Sequence, residues 1–302
     1  MQDDFVQSFQ VEGANLRGRV VRLGSVAHTI LTRHAYPEPV SRLMGESLAL
    51  TSLLASMLKF DGIFTLQVKA GGPVTTLMTD FRTPGDLRGY AAFDEEALRA
   101  AMAESGGPSG VVPRFLGSGY LAFTVDQGEN SERYQGIVEL KGASLADCVH
   151  GYFQQSEQLQ TGIRVAARLT HDEAGRPVWR AGGIMLQRLP PTGSGTEVDE
   201  AEDAWRRALM LIGTVSDAEL VDRELATGGL LLRLFHEDGV RVYDAQHLGS
   251  ACRCSRQRVE HVLRSFPAED LADMVVEGRI TATCQFCNTL YEFEPASVLA
   301  RE

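Results

Sequence analysis

Two close cysteine pairs, Cys252-Arg-Cys254 and Cys284-Gln-Phe-Cys287, stand in the last fifth of the chain, separated by residues 255–283. Only one other cysteine, Cys148, is present. Paired thiols on either side of a helix-sized insert predict a tetrahedral thiolate site, and zinc suits it, because this ion takes four such ligands at about 2.3 Å from sulfur. Cys252, Cys254, Cys284 and Cys287 are therefore the candidate ligands of one zinc ion. The C-x-x-C half is common in zinc sites, whereas the C-x-C half is unusual, since most ribbons and knuckles place two to four residues between paired ligands. The spacing also constrains the fold: residues near 252 and near 285 must meet, so the end of the chain has to close on itself as a small module.

Composition narrows the function classes. The chain of 302 residues carries a formal net charge of −11. From Cys252 to Glu302 there are six Lys/Arg against eight Asp/Glu, so the cysteine-bearing segment is acidic too. A general nucleic-acid binder shows a basic face, and none is expected here. The start, Met1-Gln2-Asp3-Asp4-Phe5, lacks the basic and apolar regions of a secretory signal, and no apolar run approaches the roughly 18 residues of a membrane span. The expectation is a cytoplasmic protein without membrane partners. In a reducing compartment, paired cysteines point to metal binding or redox sensing rather than to permanent disulfides.

The sequence divides into three parts. Residues 1–190 alternate strand and helix signals, with strands expected at Leu16–Leu23, Ile63–Ala70, Val74–Phe81, Leu87–Ala92, Tyr120–Asp126, Tyr134–Leu140, Ile163–Thr170 and Trp179–Leu189. Helices are expected at Ser25–His34, Pro39–Lys59, Asp94–Ala103 and Leu145–Gln158. They fall between groups of strands instead of after each one, which predicts an α+β class with a mixed sheet-and-helix N-terminal domain. Residues 191–246 open on the breaker-rich run from Pro190 to Thr196 and an acidic stretch, Glu197 to Asp203, then carry apolar helical faces near Asp203–Ile212 and Gly229–His236. Such faces need a surface to cover, so this part reads as a docked helical linker. Residues 247–302 hold the four cysteines, with helices expected at Arg256–Arg264 and Glu269–Glu277 and strands at Arg279–Thr283 and Thr289–Phe293. About fifty residues make a marginal core, and a bound metal supplies what such a core lacks.

The chemistry is that of a sensor. Zinc keeps its sulfurs deprotonated, the form that reacts with oxidants, and losing the metal would unfold a domain that depends on it. A purely structural zinc clip is the plainer alternative. Cys148 lies on an expected helix, two residues from His150 and so on a different face, and reads as a buried structural cysteine. His247 and His261 lie near the cluster in sequence, but four cysteines already complete a site. Gly193-Ser-Gly-Thr-Glu197 lacks the Gly-Lys-Ser/Thr ending of a phosphate loop, and no nucleophile elbow, zinc-protease or dinucleotide motif is present. No catalytic residues are assigned, and no enzyme is expected. Three readings remain open on the residues alone: a redox-switched binding protein, a disulfide oxidoreductase, and a zinc-ribbon adaptor that works with its metal bound.

The cysteine framework, with Cys254-Ser-Arg-Gln-Arg258 and Cys287-Asn-Thr-Leu-Tyr291 around it, resembles the redox-regulated chaperones of the 33-kilodalton heat-shock protein family. The resemblance continues through Leu58-Lys-Phe-Asp-Gly62, Leu87-Arg-Gly-Tyr-Ala91, Tyr134-Gln-Gly-Ile-Val138, Tyr152 to Gln158, Leu234-Phe-His-Glu237 and Val242-Tyr-Asp244, so it spans nearly the whole chain. It implies a chaperone and dimerisation domain, a linker and a redox-switch zinc domain. It further implies that oxidation releases zinc and forms Cys252–Cys254 and Cys284–Cys287 disulfides, after which the zinc domain and linker unfold and the N-terminal domains dimerise. The oxidised form would then hold unfolding client proteins without ATP and later pass them to ATP-driven foldases.

Overall fold

Alternating apolar side chains along the first 250 residues fold into two sheets that share one buried helix. The computed structural model of the protein describes residues 3–104, 109–128, 133–154, 159–189 and 196–299. Contacts divide the chain into two compact units, residues 1–250 and 251–302. The breaker-rich run at 190–195 and the last residues of the helix expected to reach Gln158 lie outside the described residues.

In the first unit, a five-stranded antiparallel sheet is built from β1 (Phe5–Val11), β2 (Leu16–Leu23), β8 (Thr161–His171), β9 (Pro177–Arg188) and β10 (Val240–His247), in the order β10-β1-β2-β9-β8. A six-stranded sheet holds β3 (Ile63–Ala70), β4 (Val74–Arg82), β5 (Asp86–Phe93), β6 (Gly119–Asp126), β7 (Tyr134–Glu139) and the short β11 (Gly249–Ser250), in the order β11-β5-β4-β3-β6-β7. Only the β11–β5 pairing is parallel. The architecture is α+β, as the grouping of helices and strands in the sequence predicts.

Helix α2 (Glu38–Ala55) packs against strands of both sheets and is apolar on almost every side, the pattern of a helix enclosed by protein. Its hydroxyls stay satisfied: Ser47 and Thr51 hydrogen-bond Thr79 of β4, and Ser52 donates to the Leu48 carbonyl at 2.8 Å. The helix expected to reach Lys59 stops at Ala55, because Met57 and Leu58 bond back three residues, to Leu54 and Ala55, and tighten the last turn. Around this core lie α1 (Ser25–Thr32), α3 (Glu95–Ala103) and α4 (Leu145–Tyr152). In α4, Ser144 and Asp147 form a reciprocal N-terminal cap.

The other face of the five-stranded sheet is covered by α5 (Thr196–Gly213), α6 (Asp217–Val221) and α7 (Thr227–Phe235). Helices α5 and α7 are the docked helices that the linker's apolar residues predict, α5 beginning earlier than expected, and α6 is an element the sequence reading does not contain. Trp205, Ile212, Leu230 and Phe235 bury against Phe9, Leu16, Val20 and Ile184. The approach is close enough that a Cβ on Gly182 of β9 would meet the Leu220 carbonyl at 2.1 Å. After α7 the chain returns as β10 on the free edge of β1, a strand the sequence reading does not contain; β1 was not foreseen either.

The second unit has its own small core of Leu263, Leu271, Ile280, Phe293 and Val298. Helix α8 (Arg256–Arg264) and β13 (Arg279–Thr283) match their sequence expectations. Helix α9 (Ala268–Asp273) is shorter than expected: Val275 and Val276, whose branched side chains favour strand, leave it to form β12 (Val275–Val276) against Ile280 and Arg279. The turn between them, Glu277-Gly278, has positive φ at both positions, as a tight hairpin requires. Strand β14 (Leu290–Phe293) completes the sheet, and α10 (Pro295–Leu299) follows it.

A candidate metal centre of four cysteines

Strands β13 and β14 pair as far as Thr283 and Leu290, which forces the residues between them into a tight knuckle. Main-chain bonds hold that knuckle: the Cys284 N–H donates to the Thr289 carbonyl at 3.0 Å, and the Asn288 N–H to the Cys284 carbonyl at 2.8 Å. Asn288 takes the left-handed conformation, φ 56°, which asparagine tolerates better than most side chains. Cys284 and Cys287 thus project from one turn.

The facing pair is fixed by the start of α8. Ser255 caps that helix, accepting the Arg258 N–H at 3.2 Å. The Arg258 guanidinium reaches back to the carbonyl of Arg253, between the two cysteines, at 2.6 Å. Arg256 lies 4.5 Å over the Phe293 ring and donates to the Glu292 carbonyl at 2.7 Å, which ties the C-x-C loop to β14. One short arginine-rich segment therefore positions Cys252 and Cys254.

The four sulfurs lie within 4.8 Å of one another. Cys252 Sγ is 3.7 Å from Cys284 Sγ, and Cys254 Sγ is 3.3 Å from Cys287 Sγ. A tetrahedron of sulfurs about 2.3 Å from a central ion has edges of about 3.8 Å, so the donor set and its spacing fit a tetrahedral thiophilic ion. The four cysteines can hold a metal ion. His247 and His261 are exposed and do not belong to the group.

Local donors distinguish the sulfurs. The Tyr291 hydroxyl donates to Cys254 Sγ at 3.1 Å, and the Thr289 hydroxyl lies 3.1 Å from Cys287 Sγ. Burial works to raise the Cys287 thiol, but Thr289, through its hydroxyl and its main-chain N–H, and the neighbouring sulfurs hold it down at about 6. Burial pushes Cys254 up to about 12 despite Tyr291. Burial likewise raises Cys284, opposed by the main-chain N–H groups of Cys287 and Phe286. One sulfur ionises readily and at least two resist, so four thiolates at these distances call for a cation among them. Sequence reasoning found the four cysteines and missed Thr289 and Tyr291, whose role depends on how the knuckle turns.

Cys148 is elsewhere, on α4, 1% exposed, and burial pushes its thiol up to about 11. That is an unreactive core cysteine. Among the described residues, no helix is long and apolar enough to cross a membrane.

Comparison with known proteins places this arrangement. The family model described as Hsp33 protein matches residues 4–294. The 33 kDa chaperonin of Caulobacter vibrioides is 43% identical over 295 residues, covering 97% of this chain and 95% of its own. That of Ectopseudomonas mendocina is 38% identical over 299 residues, covering 98% and 94%. The crystal structure of the 33 kDa chaperonin from Thermotoga maritima, at 21% identity, matches the fold with a TM-score of 0.77 over 98% of this chain and 97% of that one. With the family model spanning almost every described element and the cysteine framework intact, the chain belongs to the Hsp33 family of chaperones.

Proposed function

We propose that this protein is a redox-switched, ATP-independent holdase whose switch is the four-cysteine centre. The carrying observation is the sulfur cluster in a unit whose buried core is only five side chains among the described residues. A structural zinc contributes on the order of 10–16 kcal/mol to small modules, comparable with the roughly 5–15 kcal/mol that holds an ordinary domain folded. In the reduced form Cys252, Cys254, Cys284 and Cys287 hold one zinc, which keeps all four sulfurs ionised and the module closed.

Oxidation acts on those sulfurs. Two thiolates give up two electrons to form each disulfide, and hypochlorous acid accepts them, its O–Cl bond breaking to leave chloride and hydroxide. Cysteines joined as Cys252–Cys254 and Cys284–Cys287 cease to be thiolate ligands, and neither bond links the two halves of the module. Sulfurs also lie close across the pairs, Cys252 to Cys284 at 3.7 Å and Cys254 to Cys287 at 3.3 Å. Bonds formed there would staple the module shut. Peptide mapping of the oxidised protein separates the two patterns, and only the within-pair pattern opens it.

Once the module of residues 247–302 melts, the linker of residues 191–246 follows, and its helices leave the sheet of the N-terminal domain, residues 1–190. The apolar side chains then uncovered include Phe9, Leu16, Val20 and Ile184, all inaccessible in the docked state. Such a surface binds the exposed apolar segments of unfolding proteins and supports homodimerisation. No residue is assigned a catalytic role, and clients leave for ATP-driven foldases. The setting is the cytoplasm, with no nucleic-acid or membrane partner.

The test is suppression of thermal aggregation of a model client without ATP, by reduced zinc-loaded and hypochlorite-oxidised protein, while released zinc is counted. Activity that appears only as zinc leaves supports the switch. Activity confined to the zinc-loaded form, or absent from both, makes the cluster a structural clip.

A further inference from the structure

At one end of the five-stranded sheet, on the face covered by the linker helices, two arginines are almost fully enclosed. Arg180 is satisfied: its Nη1 and Nη2 donate to Asp3 at 2.7 and 2.6 Å, and its Nε to the Val221 carbonyl at 2.6 Å. Arg22, on the neighbouring strand, is 3% exposed and donates from Nη1 to the Asp222 carbonyl. Both guanidinium groups thereby cap the C-terminal end of α6, whose carbonyls lack helical partners. Arg22 Nε and Nη2 are buried with no hydrogen-bond partner. An enclosed charged donor in that state is costly, and burial first, then the Arg180 charge, disfavours the cation.

Arg22 lines a cavity of about 250 Å³ together with Asp3, Gln7 and Arg223, and the cavity's remaining wall includes Ala226, Thr227 and Gly228. Those last three residues begin α7. Its N-cap is Ala226, which has no side-chain oxygen, so the first main-chain N–H groups of the helix receive no side-chain cap. A Cβ placed on Gly228 would meet nothing within 4 Å, so the helix start faces open space. A guanidinium with two unsatisfied nitrogens and the positive end of a helix dipole thus belong to residues that line the same small cavity.

We infer that this cavity is an oxyanion site, taking inorganic phosphate or the phosphate of a small monoester between Arg22 and the N-terminus of α7. The neighbouring charges leave Arg22 as the uncommitted cation. Asp3 is engaged by Arg180, and Arg223 pairs with Glu173 and, at 3.2 Å, with Glu224. The Asp222 carboxylate accepts the Glu224 N–H at 2.8 Å. The volume lies below the roughly 300–1,000 Å³ of drug-sized pockets, which selects a small anion over a nucleotide. Because one wall is the sheet and the other is α7, the bound anion pins the linker helix to the N-terminal domain. The site stands whether or not the redox switch does.

The experiment is isothermal titration of reduced, zinc-loaded, full-length protein with inorganic phosphate, at constant ionic strength set with chloride. Glycerol phosphate is titrated in parallel to separate a free ion from a monoester, and binding of either alone or of both supports the site. Gly228→Asp places a carboxylate in the open space at the helix start, where it supplies the anion itself. It is expected to raise the melting temperature in phosphate-free buffer and to weaken phosphate binding about tenfold or more, by occupation and repulsion. Arg22→Gln is expected to weaken binding by a similar factor. Saturable binding in the parent that both changes diminish establishes the site. No saturable binding, or equal binding by the parent and Gly228→Asp, overturns it, and that second result needs no Arg22 variant to fold.

Discussion

The Tyr291 hydroxyl donates a 3.1 Å hydrogen bond to the sulfur of Cys254, from the strand that leaves the knuckle to the cysteine that precedes α8. The phenol is pushed up to about 12 by that same bond, so it stays a donor throughout the physiological range. Partners of this kind orient ligands and favour their charged form. Tyr291→Phe is therefore expected to leave the fold intact and to weaken zinc about tenfold, measured by competition with a chromogenic chelator. Unchanged zinc affinity would make the bond incidental.

Cys284→Ser removes a ligand outright. High-affinity zinc binding should disappear, and without oxidant the linker helices α5 to α7 should become open to limited proteolysis. A variant that loses zinc but keeps a resistant linker would sever the proposed link between the metal centre and the docked helices.

The contact between Gly182 and the Leu220 carbonyl gives a way to loosen the linker without touching a cysteine. An added methyl group would meet main-chain atoms, which cannot rotate away. Gly182→Ala is expected to weaken docking of α6 by about 1–3 kcal/mol. The readout is faster amide exchange in residues 217–235 together with partial holdase activity in the reduced protein. Faster exchange with no gain of activity would show that uncovering this face is not what activates the chaperone.

Glu46, on α2, supplies a pH dependence. Burial pushes its carboxyl up to about 7, with Asp217 adding to the effect and Arg42 opposing it, from an ordinary value of 4.5. The folded chain therefore binds a proton there that the unfolded chain releases. Its contribution to stability is complete below pH 4.5, declines as pH rises through 7, and is flat above. Glu46→Gln should remove that slope and be more stable than the parent at pH 8 by about 3 kcal/mol, measured by urea denaturation across pH. Parallel curves for the two proteins would contradict it.

The ease of reading this chain followed its punctuation. Gly71-Gly72-Pro73 marks the β3–β4 hairpin, so both strands were placed to within a residue. Serine and proline likewise bracket α8, as Ser255 and Pro267. The failures were strands with little to announce them. Phe-Val-Gln-Ser-Phe-Gln-Val in β1 breaks strict alternation, and β10 is mostly exposed, so neither shows the half-buried pattern that marks a strand. The four cysteines were legible because thiol spacing is local, whereas the knuckle's hydrogen bonds and the enclosed Arg22 exist only once distant segments meet. Arg22 reads in sequence as one more polar position in an alternating strand.

The strand β10 has a mechanical consequence. Its side chains are largely exposed, so main-chain bonds to β1 fasten it more than buried area does. The ladder is interrupted between Gln7 and Phe9, which leaves a stretch pairing Phe5 to Gln7 with Ala245 to His247 and another pairing Phe9 to Val11 with Val240 to Val242. A strap attached in this way unzips from its end, rung by rung, with the irregularity as a catch halfway. Tension from the C-terminal side would loosen the nearer stretch while the farther one still gripped, making detachment graded.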